Sequence, residues 1–428
     1  MAFIKAFRGV RPRRDLARLI AAPPYDVCSS AEARLMAAGN PHSFLHVDKA
    51  EIDLDETIGI YDDRVYEKAR ANFDWLVNSG AMVQDEKPSL YIYRLSLYER
   101  VQTGLVACTS VDECLNGLIK KHELTRKDKL LDRIKHVDAL NANTGPIFLA
   151  YKEVSKDISE MLENWASSHE ADYDFKAEYA ATPEDAKFIP KGIRHEVWVI
   201  SSEDAIQSIV KAYEDLPALY VADGHHRLAS AAEVAKMRRE RSGFNPEAES
   251  NFTLSVIFPH SQLAIMDYNR LVKDLNGLDE DAFLALLKKK FSVRDDAKGR
   301  AKPLSKHHFG LYMKSGWRML ALKDESSLDE SDPERILDSS ILQNLILEPI
   351  LGIADVREDK RIDFSGGMRG LEELERRVDS GEMAAAFAMF PASMEELMAI
   401  ADAGRIMPPK STWFEPKLRS GLFVHLLD

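Results

Sequence analysis

The sequence predicts an α+β protein with mixed sheets and flanking helices, and three observations lead to this expectation. The 428 residues are 45% hydrophobic and 30% charged, which is typical of a globular protein with a sizeable core. Apolar residues recur with both helical and strand periodicity along the chain. The spans between the strand-like runs vary too much for a regular βαβ repeat, which disfavours a doubly wound parallel sheet.

Helices are predicted where apolar residues recur every three or four positions. The stretch 65–77 has this spacing, and Gly80 ends it. Asp157 is the expected N-cap of a second helix. Ser393 and Glu396 form a capping box, a Ser/Thr-x-x-Glu pattern that marks the start of a third.

Strands are predicted where short apolar runs rich in β-branched and aromatic residues stand between polar stretches. Ten such runs lie along the chain, and none extends toward the length that would cross a membrane. The predicted strands are Leu90–Tyr93, Leu105–Ser110, Ile147–Tyr151, Val197–Ile200, Leu219–Ala222, Phe252–Phe258, Phe309–Met313, Met319–Leu322, Ala384–Met389 and Leu422–Leu426.

Composition and length limit the partners and the domain count. A net charge of −13 disfavours nucleic-acid and membrane binding, which both rely on positive fields. The cysteines, Cys28, Cys108 and Cys114, form no CxxC pair, so we expect a reducing compartment and a cytoplasmic protein. Because single cores rarely grow beyond about 250–300 residues, we expect two or three packed units with a boundary near residue 260.

The strongest local pattern is the run Asp223-Gly224-His225-His226-Arg227, which follows an apolar strand and opens a helix rich in small residues. Such a turn presents unpaired backbone N–H groups and the positive end of a helix dipole, so it binds phosphate well. We expect Asp223 at the N-cap and Arg227 as a bidentate anion clamp. Of the two adjacent histidines, one can touch the ligand while the other packs. A capped helix with structural histidines is the plainer alternative.

His122 and Glu123 form the second candidate pair. A glutamate near a phosphate turn can take the proton from an attacking hydroxyl, and His122 can orient it. The run begins like a zinc-protease helix, but Arg126 stands where the second histidine would be needed. The neighbours His225 and His226 do not reproduce the i, i+4 spacing of a zinc helix either. The sequence therefore assigns no metal ligand, and a charged surface helix start remains the alternative for this pair.

Asp26 and a basic segment near the end of the sequence are further candidates. Two prolines precede Tyr25-Asp26, and such a rigid segment can present Asp26 to Mg²⁺ or to a substrate amine. Lys410, Ser411 and Thr412 can bind an anion, although no GxxxxG precedes them and a Walker loop is excluded. A plain turn, and a proline-rich approach to the last strand, are the respective alternatives.

Four stretches together resemble the family of unknown function 1015 (DUF1015). The stretches span almost the whole chain, and their order and spacing make the resemblance specific. The stretches are Ala22-Pro23-Pro24-Tyr25-Asp26-Val27, His122-Glu123-Leu124-Thr125 with Asp132-Arg133 and Gly145-Pro146-Ile147-Phe148, the turn Ala222–Arg227, and Met407–Leu418 closing with Ser420-Gly421-Leu422.

This resemblance implies a fold and an activity. The Asp-Gly-His-His-Arg motif is similar to that of the ParB/sulfiredoxin-like superfamily, in which a similar turn holds nucleotide phosphates, and to that of free-serine kinases. It implies a ParB/sulfiredoxin-like nucleotide-binding core with insertions over residues 1–260. A second α+β subdomain would follow over 261–428, with its final segment, 407–421, returning to the site. The implied ligands are ADP or ATP with Mg²⁺ and a small amino or hydroxy acid.

The residues and the resemblance together predict a nucleotide-dependent small-molecule kinase, with free L-serine as a candidate acceptor. The Asp223–Arg227 turn would bind the donor phosphates together with Lys410, Ser411 and Thr412. A non-catalytic nucleotide- or anion-binding regulatory module is the alternative, and a homodimer is compatible with either. A zinc-dependent hydrolase ranks third. The predicted catalytic residues are Glu123, His122, Asp26 and His226.

Overall fold

The computed structural model divides into two compact units. The first comprises Met1–Leu263 and Pro416–Asp428, and the second comprises Ala264–Glu415. The sequence predicted a second subdomain over 261–428, with its final segment, 407–421, returning to the site. Residues 416–428 instead pack with the first unit, where Val424 pairs its backbone with Val10 in both directions. The structure describes residues 2–177, 192–296, 301–329, 331–366 and 369–428.

Within the described residues the chain forms nineteen strands and thirteen α-helices. The strands are β1 Ile4–Lys5, β2 Val10–Pro12, β3 Met82–Gln84, β4 Leu90–Leu97, β5 Arg100–Ser110, β6 Ile119–Lys120, β7 Ala142–Asn143, β8 Ile147–Tyr151, β9 Tyr173–Ala177, β10 Ile193–Ile200, β11 Leu219–Asp223, β12 Phe252–Pro259, β13 Tyr268–Val272, β14 Phe291–Asp295, β15 His308–Met313, β16 Gly316–Leu322, β17 Ile362–Gly366, β18 Ala385–Ala388 and β19 His425–Leu426. The helices are α1 Ala17–Ile20, α2 Ser30–Ala37, α3 Leu45–Asp48, α4 Asp63–Asn78, α5 Val111–Leu115, α6 Lys127–Leu140, α7 Asp157–Ser168, α8 Glu203–Glu214, α9 His225–Ser242, α10 Glu280–Leu287, α11 Asp338–Leu342, α12 Gly370–Asp379 and α13 Met394–Asp402.

A mixed sheet forms the centre of the first unit, and nine of the described strands belong to it. Its order is β6-β11-β8-β12-β5-β4-β10-β9, and β1 adds to β5. Strand β6 is parallel to β11 and β12 is parallel to β8, whereas the other neighbours are antiparallel. Because β6 and β11 are parallel neighbours, the segments that follow their carboxyl ends emerge at the same edge of the sheet.

Two hydrophobic clusters hold the elements of the first unit together. Helices α7 and α8 cover one face of the sheet, each through apolar residues four positions apart, which lie on one side of a helix. Helices α2, α3 and α4 form a second cluster, which Val424 from the final segment joins. The contacts of α7 and α8 with the sheet involve Ile158, Leu162, Ile209, Tyr213, Leu149 and Val221.

An antiparallel sheet of six described strands forms the second unit, in the order β14-β16-β15-β18-β13-β17. Successive residues of β13 point to opposite faces: Val272 packs with α10 and α11, whereas Leu271 packs with α12. Helices therefore flank both faces of this sheet. The predicted α+β class with mixed sheets and flanking helices is confirmed.

Most of the predicted elements are present, with two differences. The capping box of Ser393 and Glu396 is formed, and α13 begins after it. Lys156 rather than Asp157 is the N-cap of α7, so that Asp157 is its first helical residue. The last predicted strand is reduced to His425–Leu426, which pairs with β7. Among the described helices, none combines the length and the apolar character needed to span a bilayer.

Candidate functional site

The Asp223–Arg227 turn joins strand β11 to helix α9. Gly224 has φ +92°, a left-handed conformation that is strained for any residue with a Cβ atom. The sequence analysis expected Asp223 at the N-cap, but Gly224 occupies that position and no side chain caps α9. Asp223 Oδ1 accepts a hydrogen bond of 2.7 Å from the Gly224 N–H instead. The first turn of α9 thus presents backbone N–H groups at the positive end of the helix dipole.

Asp223 forms an ion pair with Lys417, whose Nζ lies 2.6 Å from Oδ2. Burial alone would raise the pKa of Asp223, but the Lys417 ammonium and the Gly224 N–H lower the pKa to about 2. The pair is therefore charged at neutral pH. Lys410 was the lysine predicted to bind an anion, and Lys417 was named only as part of the final motif. The available signal was its place in that motif as one of three cations in an acidic protein.

His122, Glu123 and His225 meet at the edge of the sheet where β6 and β11 end. The His122 and His225 rings are perpendicular, with centroids 4.5 Å apart. His225 Nδ1 lies 3.8 Å from Glu123 Oε2. One donor atom from each of the three residues lies within 4.8 Å of the other two. The parallel pairing of two short strands thus assembles a cluster from residues about one hundred positions apart in sequence.

Both histidines of this cluster are buried and neutral. Burial lowers the pKa of His122 to about 4, and the nearby Asp223 carboxylate opposes this only in part. Burial lowers the pKa of His225 well below its ordinary value, and His122 lowers it further. By distance and angle, neither ring nitrogen of His122 nor Nε2 of His225 forms a hydrogen bond in the described part of the chain, although the Val221 backbone lies near the His122 ring. Because a neutral imidazole carries its proton on one nitrogen, each ring retains one nitrogen lone pair that can bind a ligand.

Arg227 lies over the Gly145-Pro146 segment that leads into β8. Its Nη1 donates to the Pro146 carbonyl at 3.4 Å, and its Nη2 donates to Ser420 Oγ at 3.3 Å. A Cβ atom on Gly145 would lie only 1.7 Å from Nη1, so glycine is required for this approach. Both hydrogen bonds are long, and a charged oxygen ligand would compete well for the same N–H groups.

Asp48 and Tyr25 complete the surroundings of Arg227. The Asp48 side chain is 1% exposed, and its Oδ2 lies 3.8 Å from Arg227 Nη2. Asp48 Oδ1 accepts a hydrogen bond of 2.8 Å from Thr144. The guanidinium groups of Arg133 and Arg227 lie 4.0 and 5.5 Å from the centre of the Tyr25 ring. Tyr25 and Arg133 belong to two of the motifs that resemble DUF1015, whereas no sequence pattern singled out Asp48.

His226 belongs to the turn, whereas Asp26 lies in the segment between α1 and α2. Asp26 is exposed, and His226 is partly buried with an Nδ1 atom that has no hydrogen-bond partner among the described residues. Burial lowers the pKa of His226, whereas the negative charge of Asp26 raises it. The two predicted catalytic residues are therefore close enough to interact electrostatically.

Lys410, Ser411 and Thr412 belong to the second unit, whereas the turn belongs to the first. Lys410 is exposed, and its Nζ lies 5.5 Å from the Tyr268 ring centre. Ser411 Oγ donates to Ser339 Oγ at 3.0 Å. Ser411 also lines a small pocket of about 20 Å³ in the second unit, together with the buried side chains of Arg270 and Asp338.

The donor atoms at the turn can be tested against the Mg²⁺ ion that the motif resemblance implies. Mg²⁺ takes oxygen ligands in octahedral geometry. The cluster offers two imidazoles and one carboxylate, and the neighbouring Asp223 carboxylate is paired with Lys417. These residues do not fit a Mg²⁺ ion held by the protein itself.

Solved structures with a related arrangement are distant in sequence. A conserved hypothetical protein from Pyrococcus furiosus is 15% identical with a TM-score of 0.35, covering 76% of this chain and 95% of that one. A free serine kinase in complex with AMP is 16% identical with a TM-score of 0.34, covering 73% and 86%. C-terminally truncated SbnI from Staphylococcus aureus is 10% identical with a TM-score of 0.38, covering 75% and 87%. At these TM-scores no function is transferred.

Sequence comparison is more decisive about the family than about the activity. Among curated proteins, none matches the chain. The sequence model of one family, described as protein of unknown function (DUF1015), matches residues 4–340, which is well over half of the chain. This match agrees with the four motifs, three of which fall within the matched residues. The chain belongs to the DUF1015 family.

Proposed function

We propose that this protein is a nucleotide-dependent phosphotransferase that acts on a small hydroxyl-bearing metabolite, with free L-serine as the first acceptor to test. The observation that carries the proposal is the start of α9, which no side chain caps. Arg227 and Lys417 both lie at this start. Helix N-termini with free N–H groups are established phosphate sites. The resemblance of the Asp-Gly-His-His-Arg motif to nucleotide-binding turns supports the same ligand.

The donor phosphates would bind at the amino end of α9. The N–H groups of its first turn point along the helix axis, and Arg227 can exchange its long hydrogen bonds for two charge-assisted ones. Lys417 holds the Asp223 carboxylate through its 2.6 Å contact, which reduces the repulsion that an incoming phosphate would meet. Positioning and charge stabilisation of this kind account for most of the catalysis of phosphoryl transfer.

The acceptor hydroxyl would be activated by Asp26, with His226 beside it. The hydroxyl oxygen bonds to the terminal phosphorus of ATP, the bond from that phosphorus to the bridging oxygen breaks, and ADP leaves. ADP as donor would leave AMP in the same way. The proton of the hydroxyl passes to the Asp26 carboxylate, which is exposed and therefore open to a substrate. Glu123, the other predicted base, lies against the two buried histidines.

A non-catalytic nucleotide- or anion-binding module is the second candidate function. The same uncapped helix start favours it, because binding of an anion there needs neither a base nor an acceptor pocket. The two candidates differ in one measurable respect: a binder is stabilised by nucleotide but leaves it unchanged. A cytoplasmic location and a homodimer are further predictions, and neither decides between the two.

The experiment is incubation of the purified protein with Mg²⁺-ATP or Mg²⁺-ADP and a pool of amino and hydroxy acids led by L-serine. Mass spectrometry would then follow the phosphorylated product and the loss of nucleotide. Arg227→Ala should abolish turnover while circular dichroism shows an intact fold, and Arg13→Ala, an exposed arginine paired locally with Asp15, should not. Thermal stabilisation without product favours the binding module. Full activity of Arg227→Ala contradicts the site, and neither stabilisation nor product contradicts both candidates.

A further inference from the structure

His122, Glu123 and His225 form a cluster whose atoms are arranged for coordination. Each residue contributes one nitrogen or carboxylate oxygen, and these three atoms lie within 4.8 Å of one another. We propose that this cluster binds one divalent transition-metal ion of the zinc class. The assignment rests on the donor atoms alone and stands whether or not the protein transfers phosphate.

The distances between the donors are close to those of a metal site without its ion. Zn²⁺ with bonds of about 2.0–2.1 Å in a tetrahedron places its ligand atoms about 3.3 Å apart. The separation of His225 Nδ1 and Glu123 Oε2 is already 3.8 Å. The remaining contraction is within reach of side-chain rotation, since Glu123 is 48% exposed and has room to move.

Unpartnered buried nitrogens give a second and independent reason. His122 is 1% exposed and His225 is 5% exposed, yet His122 Nδ1 and Nε2 and His225 Nε2 have no hydrogen-bond partner among the described residues. A buried polar atom without a partner is unfavourable, and native proteins rarely leave several in one place. An ion bound by His225 Nδ1 and one nitrogen of His122 would give a partner to one of these three nitrogens, and so remove part of this penalty.

The type of donor determines the type of ion. Two imidazoles and one carboxylate suit Zn²⁺ and neighbouring transition ions, whereas Mg²⁺ prefers an all-oxygen shell. Three protein ligands also leave a coordination position open, as in catalytic rather than structural zinc sites. His225 is the first residue of α9, so this open position would lie close to the proposed phosphate site. An oxygen of a bound substrate could complete the coordination there.

Neighbouring charges favour a cation overall without providing further ligands. The Asp223 carboxylate is close enough to raise the pKa of both His122 and His225, while Lys121 acts on His225 in the opposite direction. Lys417 neutralises part of the charge of Asp223 through their 2.6 Å contact. The ion would therefore meet one partly compensated carboxylate beyond Glu123.

The test is a zinc titration of the full chain after removal of any histidine tag and dialysis against a chelator. Isothermal titration calorimetry should give one site per chain for Zn²⁺ and no comparable site for Mg²⁺. His122→Ala, His225→Ala and Glu123→Gln should each weaken Zn²⁺ binding by about 100-fold or more, because even substitutions outside the ligand shell lower metal affinity by about 10–100-fold. His169→Ala removes an exposed histidine outside the cluster and should bind like wild type.

The cobalt complex provides a spectroscopic check. Co²⁺ in the cluster should show the visible bands of a low-symmetry nitrogen–oxygen site without a thiolate charge-transfer band, which excludes binding at the cysteines. Because Glu123 is exposed, Glu123→Gln should fold normally, so loss of Zn²⁺ binding in that variant cannot be attributed to unfolding. Absence of a one-to-one site in wild type, or equal affinity in all three variants, overturns the proposal. Because the titration contains no nucleotide, absence of metal binding would not contradict the proposed phosphotransfer. Absence of phosphotransfer would likewise not contradict the metal site.

Discussion

Gly145→Ala is the sharpest way to test the position of Arg227 without altering Arg227 itself. The added Cβ would lie 1.7 Å from Nη1, so the guanidinium must retreat by about 1.7 Å to reach an ordinary contact of 3.4 Å. The atoms that must move are the far end of a flexible side chain, so the fold should tolerate the change. We expect a loss of unfolding free energy below about 1.5 kcal/mol, comparable to one lost hydrogen bond.

Nucleotide binding should respond far more strongly than stability. Hydrogen bonds to a charged group contribute about 1.5–3 kcal/mol, which corresponds to a rise in Kd of about 10- to 150-fold. Isothermal titration calorimetry with ADP and ATP would measure this rise. Gly59→Ala is the matched control, because no atom lies within 4 Å of the Cβ that it introduces.

A double-mutant cycle makes this prediction refutable. Since Gly145→Ala acts only by displacing Arg227, it should cause no further loss of affinity in an Arg227→Ala background. Wild-type affinity in Gly145→Ala would show that this guanidinium position does not matter for the nucleotide. Losses that add in the double variant would show that Gly145 acts by another route, and the assignment of Arg227 as the anion clamp would fail.

Three further predictions concern stability. Lys417→Met should lower the free energy of unfolding by about 1–2 kcal/mol in urea titrations, because it leaves the Asp223 carboxylate without its cation. Adding Asp223→Asn should restore part of this loss. An unchanged free energy of unfolding in Lys417→Met would contradict the ion pair. Burial raises the pKa of Asp338 from 3.8 to about 6, so its ionisation costs stability as pH rises through that range. The stability advantage of Asp338→Asn over wild type should therefore grow between about pH 4 and pH 6 and stay constant above pH 6. If the difference in free energy of unfolding between the two proteins did not change with pH, this reasoning would be refuted. Gly104→Ala would place a Cβ 2.7 Å from the Phe258 ring in the centre of the sheet. It should lower the free energy of unfolding, measured by thermal denaturation, by about 1–3 kcal/mol. Unchanged stability would mean that the ring moves freely.

The parts of the fold that were predicted from the sequence are those determined by neighbouring residues. The strand Leu219–Asp223 follows from an unbroken apolar run, and the capping box of Ser393 and Glu396 from two residues three positions apart. The turn after β11 was recognised because Gly224 and Arg227 stand at the junction of a strand and a helix pattern. In each case the pattern and its physical cause lie within a few residues.

The parts that were missed depend on residues that meet only in the folded chain. Strand β6 is two residues long, too short for any periodicity, yet its parallel pairing with β11 brings His122 to His225. The sequence pattern of zinc ligands is helical spacing within one segment, and a cluster formed by strand pairing carries no such pattern. In the same way Lys410 was selected for its two hydroxyl neighbours, whereas Lys417, in a buried stretch, is the lysine that contacts the turn.

The discontinuity of the first unit has a consequence for protein synthesis. Residues 416–428 supply Lys417 and Ser420 to the turn, and they leave the ribosome only after the whole of Ala264–Glu415 has been translated. A nascent chain that has completed the first 263 residues therefore has helix α9 but lacks two of the residues that surround its start. The protein can assemble its site only when translation of this segment is finished, so a truncated product that lacks it would be released without the complete site.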